Sequence, residues 1–184
     1  MILDTFSKTT WIAIASLLLL TGCGTLNQQA SQSRPVWKSD IPIGGTIPLP
    51  SHLTPEQAAA EITSRSVLLL GTPYRFGGSH PAEGLDCSGL IAHVLQDAFR
   101  IRPPRNTEEQ SLVGIPVPRH RLVPGDLVFF NTLGKSNSHV GVYLGNSRFV
   151  HAPTSRGVVR IESLQTDYWA KRFDQARRLI AQLQ

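Results

Sequence analysis

The spacing of apolar positions divides this chain into four stretches. The first is an apolar run from Trp11 to Leu20, within "WIAIASLLLLTGCG". About ten apolar residues fall short of the ~20 that a membrane-spanning helix needs, but they fit the core of a secretory signal. Residues 24 to 50 show no apolar period and are rich in Gln, Ser, Gly and Pro, the composition of a tether. A flexible chain of that length spans roughly 30 Å r.m.s.. Helical spacing then begins. Thr54 is placed as an N-cap, with Pro55 at the first helical position and Gln57 completing a capping box. This predicts a helix to about Leu70, stopped at Gly71. After the glycine-rich loop "GTPYRFGG", a second helix is predicted from about Cys87 to Phe99, with Leu90, Ile91, Val94, Leu95 and Ala98 on one face. A short helix is expected at about Thr107 to Val113. Beyond it the period falls to two. Strands are expected near Asp126–Asn131, His139–Leu144, Arg148–Ala152 and Val158–Ile161, separated by Gly, Asn, Ser and Pro. The C-terminal "RFDQARRLIAQL" has a helical composition. Helices followed by antiparallel strands with short turns indicate an α+β fold. The expected division is a signal at 1–22, a tether at 23–51 and one domain at 52–184.

Charge changes this picture little. Lys and Arg number 18 against 13 Asp and Glu, a formal net charge of +5. The basic residues are scattered, densest at Arg177-Arg178, with no interleaved aromatics and no nucleic-acid motif, so no nucleic-acid partner is expected. The excess fits a polyanionic neighbour such as a cell wall or membrane surface, and equally fits ordinary solubility.

Cysteine usage is more informative, since the chain has only two. Cys23 closes "LTGC" at the end of the signal-like run. That segment resembles the bacterial lipobox, whose cysteine is acylated and becomes the new N-terminus; the alternative is a plain cleaved signal. A lipidated Cys23 implies a membrane anchor. Gly24 follows it rather than Asp, which in a Gram-negative cell favours the outer membrane, facing the periplasm. Cys87 is then left without a disulfide partner in its own chain. In an oxidising compartment a free thiol is a hazard unless it is buried or used.

The setting of Cys87 favours use. In "GLDCSGL", Asp86 is a good N-cap, which puts Cys87 in the first turn of the second helix. The helix dipole and unpaired amides there stabilise an anion, so the thiol is expected to ionise more easily than usual. The small Ser88 and Gly89 leave access to the sulfur. The Cys87 amide can donate to an oxyanion on an attacked carbonyl. A small apolar filler at a helix start is the competing account.

A thiol nucleophile wants a base and a group to orient it. His52, His80, His93 and His120 have no periodic placement near a partner. His139 and His151 lie on consecutive strands in "SHVGVYLGNSRFVHA". A three-residue loop, Gly145 to Ser147, would pair Leu144 with Arg148 and set Gly141 opposite His151. His139 would then lie on the same face, diagonal to His151, roughly 7–8 Å away between Cβ atoms. Val140, Val142, Val150 and Ala152 would fill the opposite face. A two-residue loop would split the histidines between faces. His139 is thus the candidate general base and His151 the orienting group. A zinc site from one Cys and two His lacks the usual ligand spacing and would require Asp86 to leave its cap. No Gly-x-Ser-x-Gly elbow supports a serine hydrolase. No metal or cofactor is expected.

The blocks "TPYRFGG", "DCSGL", "PRNTEEQ", "PGDLVFF", "HVGVYLG" and "FVHA" occur in the order found in the NlpC family of bacterial cell-wall cysteine peptidases, which the chain resembles over roughly residues 58 to 180. The trailing "YWAKRFDQARR" is similar to the lipoproteins of that family. The resemblance implies a papain-like α+β fold, with N-terminal helices packed on an antiparallel sheet and a last strand near Arg177 to Ala181. It implies Cys87 as nucleophile, His139 as base and His151 as the third polar position. It also implies that Tyr74 helps to bind the oxyanion or substrate. Asp86 and Ser88, which flank the nucleophile, match residues that in some members contact a free L-Ala amine, although Asp86 is first a cap. Arg75 and Arg105 could meet stem-peptide carboxylates, with surface or structural roles favoured. The implied substrate is a peptidoglycan stem peptide, cut at γ-D-glutamyl–diaminopimelate or at the D-alanyl–diaminopimelate cross-link, by a chain expected to act as a monomer. A non-catalytic, lipid-anchored wall-binding module on the same fold is the alternative.

Overall fold

The computed structural model describes residues 38–154 and 157–181. The signal-like run, Cys23 and most of the expected tether lie outside them. Helix α1 spans Pro55–Leu68, and its capping box is formed: the Gln57 amide donates to Thr54 Oγ1 at 3.2 Å, and Gln57 Oε1 accepts from the Thr54 amide at 2.9 Å. The helix buries Ala58, Ile62 and Ser66, four residues apart, along one stripe. A two-residue ladder, β1 (Ser79–His80) with β2 (Gly84–Leu85), then leads into helix α2, Cys87–Phe99. Leu90, Ile91, Val94 and Leu95 of α2 are buried, on the face that the periodicity predicts. Helix α3 is shorter than expected, Thr107–Gln110. No helix among the described residues is long and apolar enough to cross a membrane.

The strands β3 (Ile115–Pro116), β4 (Leu127–Phe130), β5 (His139–Gly145), β6 (Arg148–His151), β7 (Arg160–Ser163) and β8 (Phe173–Arg178) form one antiparallel sheet, in the order β3-β8-β4-β5-β6-β7. The C-terminal segment is a strand despite its helical composition. It starts at Phe173, earlier than the resemblance implied, because it pairs along the whole of β4. A four-residue helix, α4 (Asp167–Ala170), precedes it.

Both faces of the sheet are covered. Leu127 and Phe129 of β4, Val140 and Val142 of β5 and Val150 of β6 face the helical layer with α1 and α2. Val128, Phe130, Tyr143, Phe149, Leu164, Trp169 and Ala176 form a second cluster on the other face. Two-sided burial is why β4 reads as an unbroken apolar run rather than an alternating one.

The segment read as the end of the tether packs on the domain. Ile41 and Ile47 join the helical-layer core. The Ile47 amide donates to Leu179 O at 2.8 Å, and the Gly114 amide donates to Gly45 O at 2.7 Å. Composition signalled a linker because Pro, Gly and Ser dominate this stretch. Two isoleucines and a few backbone bonds suffice to pin it.

Gly89 has a reason other than access to the sulfur. A Cβ there would lie 1.9 Å from Gly78 O, in the loop that crosses the start of α2. Gly89→Ala is therefore expected to lower stability by about 3 kcal/mol, read as a fall in the urea midpoint at unchanged slope. A midpoint equal to that of the parent would show that this contact is not tight.

Candidate active site

Asp86 fixes the start of α2. Its Oδ1 accepts from the Gly89 amide at 2.6 Å, from Ser88 Oγ at 3.0 Å and from Arg105 Nη1 at 3.1 Å. Its Oδ2 accepts from the Gly77 amide at 2.9 Å and from Arg105 Nη2 at 3.2 Å. Arg105 also donates to Ser88 Oγ and to Gly78 O. Five donors saturate the roughly four lone-pair sites of a carboxylate. Asp86 and Ser88 are largely buried and hold the turn that carries Cys87, and both also border the cleft at the sulfur. Arg105 takes the structural role. Arg75 forms an exposed pair with Glu83.

The histidines meet as the strand pattern requires, by a different route. Tyr143 pairs with Phe149 and Gly145 with Arg148, so Leu144 is an extra residue and the turn is the two-residue Asn146-Ser147. Both turn residues have positive φ, 51° and 58°, as a tight type I′ hairpin needs. A two-residue turn alone would separate the histidines, but the bulge at Leu144 restores the odd count. His139 Nε2 and His151 Nδ1 are 2.8 Å apart, and both residues are buried. Gly141 makes room for them: a Cβ there would stand 2.7 Å from Phe149 Cδ2 and 3.2 Å from His151 Cβ. Trp169 of α4 closes this layer. It stacks on His139 at 5.6 Å and 25°, and meets His151 edge-on at 5.0 Å and 79°.

Cys87 and His139 line one open cleft, with Tyr74, Asp86, Ser88, Arg105, Asn106 and Leu133 among the residues around it. Tyr74 is close enough to Cys87 for charge on the sulfur to act on its hydroxyl, whose pKa is raised first by burial and then by Cys87 and Asp86. Among the described residues, no three of His, Cys, Asp and Glu cluster as metal ligands. Asp86 keeps its cap and the two histidines bond each other.

Residues 71–178 match the NlpC/P60 family. The chain belongs to the NlpC/P60 family. It is 47% identical over 110 residues to the "probable endopeptidase NlpC" of Escherichia coli K12, covering 59% of this chain and 70% of that protein. It is 45% identical over 111 residues to the "murein DD-endopeptidase MepS/murein LD-carboxypeptidase" of the same organism, covering 60% and 57% of the two chains. A crystal structure of an NlpC/P60 family protein from Bacillus cereus superposes with a TM-score of 0.63 at 30% identity, over 73% of this chain and 42% of that one. The chain thus spans little more than half of the second relative and less than half of the structural one.

Within this NlpC/P60 domain, electrostatics depart from expectation at the thiol. The Cys87 pKa is pushed up to about 11, first by burial and then by the adjacent Asp86 carboxylate. The amides of Val140, Ser88 and Cys87 itself pull it down, but they do not win. A helix start favours an anion. Here the cap that builds the helix start is itself an anion, and the sulfur, though it borders the cleft, is packed among protein atoms on its other sides. His139 is pushed down to about 3, first by burial and then by His151, against a smaller opposing effect of Glu162. His151 is pushed down to about 3 by burial and then by Arg160. The resting pair is a thiol and a neutral imidazole.

Sequence reasoning passed over Trp169, Glu162 and Arg160. Trp169 lies in a quoted block, "YWAKRFDQARR", but no period links a four-residue helix to strands 18 and 30 positions upstream. Glu162 sits on a strand that the alternation placed two residues too early.

With a raised thiol pKa, the thiolate fraction grows only as pH approaches 11. In a Cys23→Ser chain, the rate of Cys87 alkylation by iodoacetamide is expected to climb throughout pH 7–10. A plateau reached below pH 7 would instead show a thiolate already formed at rest.

Proposed function

We propose that this chain is a peptidoglycan stem-peptide hydrolase, cutting an amide next to diaminopimelate through a thioester on Cys87. The observation that carries the reading is the shared cleft of Cys87 and His139, with His151 bonded behind the base. Sγ attacks the carbonyl carbon while its proton passes to His139. The tetrahedral oxyanion draws on the Cys87 amide and the Tyr74 hydroxyl. The imidazolium then protonates the leaving amine, the C–N bond breaks and the thioester remains. Water, deprotonated by His139, attacks the thioester and releases the acid and the thiol. The name of the E. coli relative MepS favours the D-alanyl–diaminopimelate cross-link. The γ-D-glutamyl–diaminopimelate bond is the alternative.

Saturation of Asp86 by Arg105 and backbone amides bears on this choice. A carboxylate so occupied, and already paired with Arg105, is a weak counter-ion for a free peptide amine. That favours cleavage inside intact murein over trimming of peptides with a free N-terminal L-Ala.

A non-catalytic wall-binding module is the second reading, and the protonated resting thiol favours it. Zymography on purified murein separates the two. The parent chain is expected to clear murein, Cys87→Ala to abolish clearing, and His139→Ala to slow it by roughly 10²–10⁴-fold. Mass spectrometry of the released muropeptides reads the bond. Equal clearing by parent and Cys87→Ala would reject the nucleophile, and murein binding without clearing by the parent would favour the module.

The setting proposed for this activity is the periplasmic face of the outer membrane, with a lipid on Cys23 and the intervening chain as tether. Labelled palmitate is expected to enter the full chain and to be lost in Cys23→Ser; incorporation that survives the substitution would remove the anchor from Cys23.

A further inference from the structure

The cleft chemistry leaves one buried nitrogen without an assignment. His151 is wholly buried, and while its Nδ1 is engaged by His139, its Nε2 has no hydrogen-bond partner. An unsatisfied buried polar atom is costly to a fold, so its surroundings call for an explanation. The charged group before it is Glu162 of β7, whose Oε2 lies 3.7 Å from Nε2. Register explains the placement. Glu162 pairs with Phe149, so its side chain emerges on the face that carries Phe149 and His151.

Two donors hold the Glu162 carboxylate in that position. Arg160 Nε lies 2.5 Å from Oε1, and the indole N–H of Trp169 donates to Oε2. Trp169 is also the ring stacked on His139. The carboxylate and both imidazoles are therefore clamped by one side chain from α4.

The closeness of Glu162 to Nε2 bears on where protons sit, with the Arg160 cation acting against it. A neutral His139–His151 pair shares one proton between Nε2 and Nδ1, and each ring keeps one other nitrogen. If His139 Nε2–H donates, His151 carries its second-side proton on Nε2, directed at the Glu162 carboxylate. His139 Nδ1 is then a bare lone pair on the ring edge that His151 does not occupy. If His151 Nδ1–H donates, His151 Nε2 is a lone pair facing a carboxylate, and His139 Nδ1 is protonated and useless as a base. The first arrangement is attractive at 3.7 Å and the second repulsive, at a ring nitrogen that is itself buried although Glu162 keeps partial contact with solvent.

We infer that Glu162 is a positioning residue: through His151 it fixes the ring tautomer that leaves His139 Nδ1 free to take the Cys87 proton. The inference rests on the proposed hydrolase reading for its purpose but not for its geometry. The charged and titratable groups around the pair are Glu162 and Arg160 on β7, with Cys87 and Asp86 on the α2 side. Of these, Glu162 is the anion that faces His151 Nε2.

The test uses ¹⁵N-labelled full-length protein. Imidazole ¹⁵N shifts without substrate are expected to show both rings as Nε2–H tautomers in the parent. Glu162→Gln keeps the size of the side chain and an acceptor for Trp169 but removes the charge. It is expected to give mixed tautomers and to lower kcat on murein peptides about tenfold, with KM and melting temperature unchanged. That loss is well short of the ~10⁴-fold that follows neutralising the directly bonded carboxylate of a serine triad. Glu162→Asp, which keeps the charge, is expected to recover most of the parent tautomer. A parent His139 protonated at Nδ1 would overturn the inference. So would Glu162→Gln with the parent's spectrum and kcat. If the parent shows the expected tautomers but cuts no murein, the hydrolase reading fails while the positioning role stands.

Discussion

The site depends on one carboxylate in a place where carboxylates are costly. Asp86 is nearly dry, and its charge is held by two backbone amides, a hydroxyl and the fork of Arg105. Removing Arg105 would leave that charge uncompensated in a poorly hydrated place, which is far more damaging than losing a surface pair. What this arrangement secures is the position of the next residue. The glycines 78 and 89 let the loop and the helix start approach within backbone contact, and Asp86 bonds both sides of that contact.

Burial is the first reason that the thiol resists ionisation, and the same carboxylate is the second. An anion at the cap completes the helix start and opposes a second anion beside it. Burial of the histidines opposes the matching cation. Each group is thus most stable neutral, and an ion pair forms only by moving a proton between them. The proposed chemistry relies on such a transfer across the cleft that Cys87 and His139 share.

Most of the scaffold was legible in the sequence because periodicity records burial directly. The α1 capping box, the α2 face and the strand alternation around His139 and His151 are all local patterns. Errors arose where the deciding contact is remote. The parity of the histidine hairpin was right, but its cause is a bulge at Leu144 with a two-residue turn, and sequence does not distinguish that from a three-residue loop. Residues 38–51 read as linker because the backbone partners of Asp40 and Ile47, the carbonyls of Arg102 and Leu179, lie far along the chain. The thiol was expected to be acidic from its place on the helix, since desolvation is a property of the whole fold. Trp169 and Glu162 carry no local signal: the tryptophan sits on four helical residues, and the glutamate looks like any solvated strand position.

The bulge at Leu144 restricts how this hairpin can vary. Side chains alternate between sheet faces, so parity between His139 and His151 is conserved only by changes of two residues, or by one change offset by a new irregularity. A lone deletion in Leu144–Ser147 would send His151 into the valine layer beneath α2 and bring Val150 or Ala152 against the tryptophan. Length variation in this turn is therefore quantised, whereas the loops that rim the cleft are free to grow by any number.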